Sequence, residues 1–189
     1  MIDTSGLNTG ALGSYLVRYS VADAAGNSRS LTRTVNVVEA VTTHSASPGI
    51  DVGASSVQTT MTIGENKQIA DINLRINMDH TYVGDVSVRL ISPSGTHVLV
   101  IDRPGHPGST YGCSGNNMDV TLDDEASSDV EGVCRFFFRP TVHGTRRPNN
   151  TLRAFDGENA RGVWTLQVED TYPGEDSGRL NSWAITITQ

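Results

Sequence analysis

Lysine is almost missing from this chain. Lys67 stands alone beside thirteen scattered arginines, and 21 acidic residues outnumber the 14 Lys and Arg to leave a net charge of −7. That balance excludes nucleic acid as a partner, because binding phosphates takes clustered cations. Long apolar runs are missing too, and none approaches the roughly 20 residues of a membrane span. No stretch carries a trustworthy amphipathic helical period, and Met1-Ile2-Asp3-Thr4-Ser5 does not read as a secretory leader. The expectation for a secreted protein is therefore a leader upstream of this sequence. Cysteine is limited to Cys113 and Cys134. A zinc site takes four ligands at metal spacing, and neither a CxxC nor a histidine pair accompanies them. The pair reads instead as a disulfide, which implies an oxidising compartment outside the cytoplasm.

What the chain does have is β-structure and turns. Its 189 residues suffice for one domain and a fraction, and its 19 glycines and 7 prolines lie among Val, Thr and Ser. Residues 13–38 read as a β-hairpin. Tyr15, Val17, Tyr19 and Val21 alternate on one face, residues 23–27 (DAAGN) turn, and Leu31, Arg33, Val35 and Val37 return. Residues 39–49, small and polar and ending in Pro48-Gly49, read as a linker. Beyond it, alternating patterns recur. They run through Val57–Ile63, Ile72–Met78, Val86–Leu90, residues 97–101, Met118–Leu122, residues 133–138 (VCRFFF), Trp164–Val168 and Trp183–Ile187. About eight short, half-buried strands predict an all-β sandwich or jelly roll. Trp164 and Trp183 each open an alternating strand and are expected in its core.

Two resemblances attach to these patterns. The hairpin, with its "V.Y.V.DAAGN" signature, resembles the closing hairpin of bacterial immunoglobulin-like repeats. Such a domain needs about seven strands, so residues 1–40 are expected to be its truncated tail. Residues 50–189 resemble the P domain, or Homo B domain, of kexin- and furin-like proprotein convertases and of secreted bacterial proteases. The resemblance rests on six separated pieces in order. These are His80-Thr81-Tyr82; Gly84-Asp85; Ser92-Pro93-Ser94-Gly95; Phe155-Asp156-Gly157; Gly162-Val163-Trp164-Thr165-Leu166; and Gly178-Arg179-Leu180-Asn181-Ser182-Trp183, with residues 121–126 (TLDDEA) between them resembling the bacterial branch.

Ser114, between Cys113 and Gly115, sits in a Gly-Cys-Ser-Gly context close to the Gly-Asp-Ser-Gly of chymotrypsin-like nucleophiles. Cysteine occupies the Asp position, Asn116 follows where a glycine would be expected, and no catalytic histidine context is present. Ser114 is read as a loop residue, and no catalytic residue is expected. His80 is expected to hydrogen-bond a loop backbone. The dibasic Arg146-Arg147, followed by Pro148, reads as a solvated loop. The carboxylates carry the sharper expectation. Asp85 begins a strand, Asp170 ends one, and Asp176 precedes another, so an antiparallel sandwich would gather them at one edge. Asp123 and Asp124 lie in an acidic connection. Calcium takes six to eight oxygen ligands, and Asp85, Asp123, Asp124, Asp170 and Asp176 are its candidate ligands here. The competing reading is that these acids cap turns.

The resemblance implies a non-catalytic accessory domain of a secreted bacterial endopeptidase, serine-type. It would stabilise or regulate a catalytic protease domain in the same polypeptide, bind calcium, and lie outside the cell or on its surface. The alternative is a surface-binding module for a polysaccharide, collagen-like or protein ligand, which an exposed aromatic strip would favour.

Overall fold

The computed structural model describes residues 1–38, 40–53, 56–106, 108–135 and 137–189. It divides into two compact units, Met1–Ala40 and Val41–Gln189.

The first unit is the predicted hairpin with one added strand. β1 (Ile2–Asp3) pairs antiparallel with β2 (Gly13–Ala22), which pairs antiparallel with β3 (Ser28–Val37). The register places Tyr15 opposite Val35 and Tyr19 opposite Leu31, uniting the alternating faces read from sequence. The turn closes because Asp23 Oδ1 accepts from both Ala25 N and Asn27 N at 2.9 Å, a local side-chain bond typical of Asp in turns.

Among its described residues the second unit holds ten strands: β4 (Val41–Ala46), β5 (Ile50–Val52), β6 (Val57–Ile63), β7 (Asp71–His80), β8 (Val86–Ile91), β9 (His97–Asp102), β10 (Met118–Leu122), β11 (Val142–Arg146), β12 (Gly162–Asp170) and β13 (Gly178–Thr188). One sheet runs β11-β10-β7-β13-β4, with β5 also on β13, and the other runs β6-β12-β8-β9. Both sheets feed one core. Leu74, Ile76, Val120 and Ile185 come from the first, and Val88, Leu90, Trp164 and Leu166 from the second; all are fully buried. The all-β sandwich expectation holds, and both tryptophans are core residues. Trp164 donates Nε1–H to Ala160 O at 2.9 Å and meets Phe155 edge-on at 5.3 Å between centroids.

Two expectations require correction. Residues 41–46 of the expected linker form β4, paired with β13 from Trp183↔Ala46 to Thr188↔Val41. The described part of 133–138 is not a strand. Phe137 is 99% exposed, and apolar composition there reflects an exposed loop beside the disulfide.

Candidate functional site

The segment 111–117 is a backbone and disulfide clamp on the turn before β8. Cys113 and Cys134 form a disulfide with Cα atoms 5.5 Å apart. Ser114 is exposed, while Cys113 and Gly115 on either side are buried. The backbone here is stitched to the turn before β8. Val83 N donates to Gly115 O and Gly84 N to Cys113 O, both at 2.9 Å, and Cys113 N donates to Pro104 O at 2.7 Å. Gly84 and Gly112 pack face to face. A β-carbon on Gly112, whose φ is +69°, would lie 2.9 Å from Gly84 Cα and from Pro104 O, and one on Gly84 would meet the Cys113 amide. Only glycine allows both the left-handed backbone and this approach.

The five predicted carboxylates divide into two neighbourhoods. Asp85, Asp170 and Asp176 come together as expected, because β8 and β12 are antiparallel with Asp170 opposite Val86. Thr171 N donates to Asp85 O at 2.8 Å. Thr81 Oγ1 donates to Asp176 Oδ1 at 2.8 Å and brings in the segment before β13. The floor is buried. Asp170 Oδ1 accepts from Tyr172 N at 2.9 Å. Its Oδ2 has no hydrogen-bond partner among the described residues and lies 3.6 Å from the equally orphaned His80 Nε2. His80 Nδ1 lies 2.9 Å from Tyr82 O, so this histidine does meet a loop backbone.

Asp85 is 5% exposed. Burial, a hydrogen bond with Asp176 and the charges of Asp176 and Asp170 push its carboxyl up to about 6, against the opposing pull of Arg103. Tyr82, Tyr111, Tyr172 and Glu175 complete a pocket with Asp85 and Asp176. The Arg103 guanidinium lies 5.2 Å from the Tyr172 ring centroid, and its Nε donates to Gly84 O at 3.3 Å.

Asp123 and Asp124 lie in a second neighbourhood, following β10. The antiparallel pairing of β10 with β7, Leu122 opposite Leu74, carries them toward Asp71. Asp124 spends both oxygens on a cap, accepting from Leu152 N and Arg153 N at 2.9 Å. Asp123 Oδ1 accepts from Glu125 N at 2.8 Å. Burial raises Asp71, and the charges of Asp123, Asp156 and Asp124 raise it further. Arg153, 3.8 Å from Glu125 and 3.9 Å from Asp156, supplies a counter-charge. Asp71 and Asp156 escaped the sequence reading, since the β7–β10 register brings Asp71 to Asp123 and the Asp124 cap on the Leu152–Phe155 turn brings Asp156. Asp156 stood in the Phe-Asp-Gly piece and could have been nominated from it.

Among the described residues, no three His, Cys, Asp or Glu side chains stand where they could together hold a metal ion. The second neighbourhood offers oxygen donors of the kind a hard cation takes, without the spacing to chelate one. Every donor is a carboxylate oxygen, and the acids outnumber the one arginine. Arg147 is held by Asp129 at 2.6 Å, and Arg146 Nε donates to His143 O at 3.0 Å, so both members of the dibasic pair are engaged. Among the described residues, no helix is long and apolar enough to cross a membrane.

Residues 69–187 match the proprotein convertase P-domain family, and residues 2–37 match the bacterial surface protein Ig-like domain. The leupeptin-inactivating enzyme 1 of Streptomyces exfoliatus is 30% identical over 118 residues, 62% of this chain and 18% of that protein. The Aeromonas extracellular serine protease of Aeromonas sobria is 25% identical over 132 residues, 70% of this chain and 18% of that protein. A calcium-dependent protease of Trichormus variabilis is 23% identical over 130 residues, 69% of this chain and 16% of that protein. The match thus spans less than a fifth of each relative. With its Trp164 and Trp183 strands, its His80–Asp85 turn and its acidic connection all inside the matched region, the chain belongs to the proprotein convertase P-domain family.

Proposed function

We propose that this chain is a non-catalytic accessory P domain of a secreted bacterial serine-type endopeptidase, carried on the same polypeptide as the protease it stabilises or regulates. The match over residues 69–187 to the P-domain family carries this reading. Relatives named as proteases support it, one of them as an extracellular serine protease. The disulfide suits an oxidising compartment outside the cytoplasm. The alternative of a surface-binding module loses its tryptophan strip, because Trp164 and Trp183 are core residues.

The second half of the proposal is calcium, supported by relatives named calcium-dependent proteases. The acidic neighbourhood of Asp71, Asp123, Glu125 and Asp156 would attract it, with Asp124 fixing the adjacent turn, although no three of these side chains stand where they could together ligate the ion. A bound calcium would supply positive charge between carboxylates that otherwise repel one another. These acids join the β7–β10 pair to the turn at Leu152–Phe155, so neutralising them ties two parts of the core together. Asp85, Asp170 and Asp176, also expected as calcium ligands, form a separate site with aromatic walls.

The test is a thermal melt in calcium and in chelator. A ligand at 100 times its dissociation constant adds about 2.7 kcal/mol, so the midpoint is expected to rise by several degrees in calcium. Asp123→Asn combined with Asp71→Asn should remove that rise. An unchanged midpoint in the unmutated chain removes calcium from the account.

A further inference from the structure

We propose that the pocket of Tyr82, Tyr111, Tyr172, Asp85, Glu175 and Asp176 receives the guanidinium of an arginine side chain presented by a peptide. Three of the five tyrosines in the chain line this one pocket. Tyr111 is 66% exposed and Tyr172 is 42% exposed, so their rings are open to a ligand rather than consumed by the core.

The charge fits the same ligand. Asp85 is 5% exposed yet lines the pocket, and its carboxyl is hydrogen-bonded to that of Asp176. Its neighbours Asp176 and Asp170 are also acids, with Arg103 the one cation acting on it. Two acids joined by a hydrogen bond beside a third carry surplus negative charge, which a cation bringing its own N–H groups would offset.

The tyrosine walls select the kind of cation. A calcium shell is built from oxygens and gains little from aromatic faces. Guanidinium is planar and weakly hydrated; it stacks on rings and bridges carboxylates with two parallel bonds. The pocket already displays this mode, since the Arg103 guanidinium lies over Tyr172. Arg103 is tethered to Gly84 O and Thr110 O, which leaves the Tyr82 and Tyr111 faces and the Asp176–Glu175 rim for an incoming side chain. The inference is independent of the calcium reading, whose residues lie in the other neighbourhood.

The experiment titrates the full chain, in chelator, with a blocked Gly-Arg-Gly peptide and with its Gly-citrulline-Gly counterpart, following tyrosine ring resonances by NMR. Citrulline keeps the shape of arginine but carries no charge and presents a carbonyl acceptor where arginine has an N–H donor group. Saturable shifts with the arginine peptide are expected, with binding at least tenfold weaker for citrulline. Tyr111→Ala, at an exposed ring that the fold does not need, and Glu175→Gln should each weaken binding several-fold. Glu125→Gln in the other neighbourhood should leave it unchanged, as should added calcium. Equal binding of the two peptides, no saturable response, or displacement of the peptide by calcium would each overturn the proposal. A missing calcium effect on the melt with intact arginine binding would sink only the calcium reading.

Discussion

Glu131 is a carboxylate held in two environments at once. Its Oε1 accepts from Asp102 N at 2.8 Å, while Oε2 is buried with no hydrogen-bond partner among the described residues. Burial pushes the group up to about 7, and the nearby charges of Asp102 and Asp129 add to the effect. The folded value therefore lies above the ordinary 4.5. Between about pH 4.5 and 7 the native state holds a proton that the unfolded chain has lost, so stability falls as pH rises through that window. Above it, the cost of the buried charge is fully present. Glu131→Gln should match the unmutated chain near pH 4 and exceed it at pH 8. Allowing for water reaching a partly exposed group, the gain is on the order of 1 to 2 kcal/mol. Denaturant melts at several pH values measure it, and equal pH slopes for the two proteins would refute the assignment.

The loop of residues 103–117 shows what one element owes to its covalent and backbone clamps. Its described residues form no strand, yet it carries Tyr111 to the pocket and sits on the turn before β8. Two devices hold it there: the Cys113–Cys134 bridge, which closes 21 residues, and the Gly84–Gly112 contact. Replacing both cysteines by serine should lower stability by about 3 kcal/mol, on the loop-entropy account. Gly84→Ala should cost about 1 to 3 kcal/mol by overpacking against the Cys113 amide. It should also shift the tyrosine resonances of the pocket while leaving signals from β10 and β11 unmoved. If Gly84→Ala is neutral, the close approach does not exist.

Elements differed in how readable they were from sequence. β7, β8, β10, β12 and β13 bury alternate residues, so their composition alternates and betrays them. β4 exposes every second residue at a sheet margin, and its VTTHSA stretch is polar enough to pass for a linker. β11 contains Gly144 and pairs in parallel with β10, so hydrophobic period and turn signals are both missing. Residues 133–138 failed in the other direction. Aromatic content promised a strand, but Phe137 and Phe138 are turned to solvent.

At the scale of the molecule, the second unit is a single core between two sheets. Trp164 is the largest test of that core, being fully buried against Phe155 with its indole N–H satisfied. Trp164→Ala should cost about 3 to 5 kcal/mol, a large share of the 5–15 kcal/mol typical of a folded domain. Calorimetry checks it, and a loss below about 1 kcal/mol would mean that the sandwich is not packed around this residue.

Amino-acid order alone determined that the chain is all-β, that its two tryptophans are interior, that its cysteines pair, and that Asp85, Asp170 and Asp176 meet. Each follows from a short-range rule: alternation with period two, scarcity of metal partners, and the meeting of strand ends in antiparallel pairs. Only the tertiary structure decided that Asp71 and Asp156 join Asp123. It also decided that Asp124 is consumed as a cap, and that three tyrosines distant in sequence wall one acidic pocket. Those outcomes depend on which strands become neighbours and in what register. Burial summed over the whole sandwich sets that choice, and no local pattern records it.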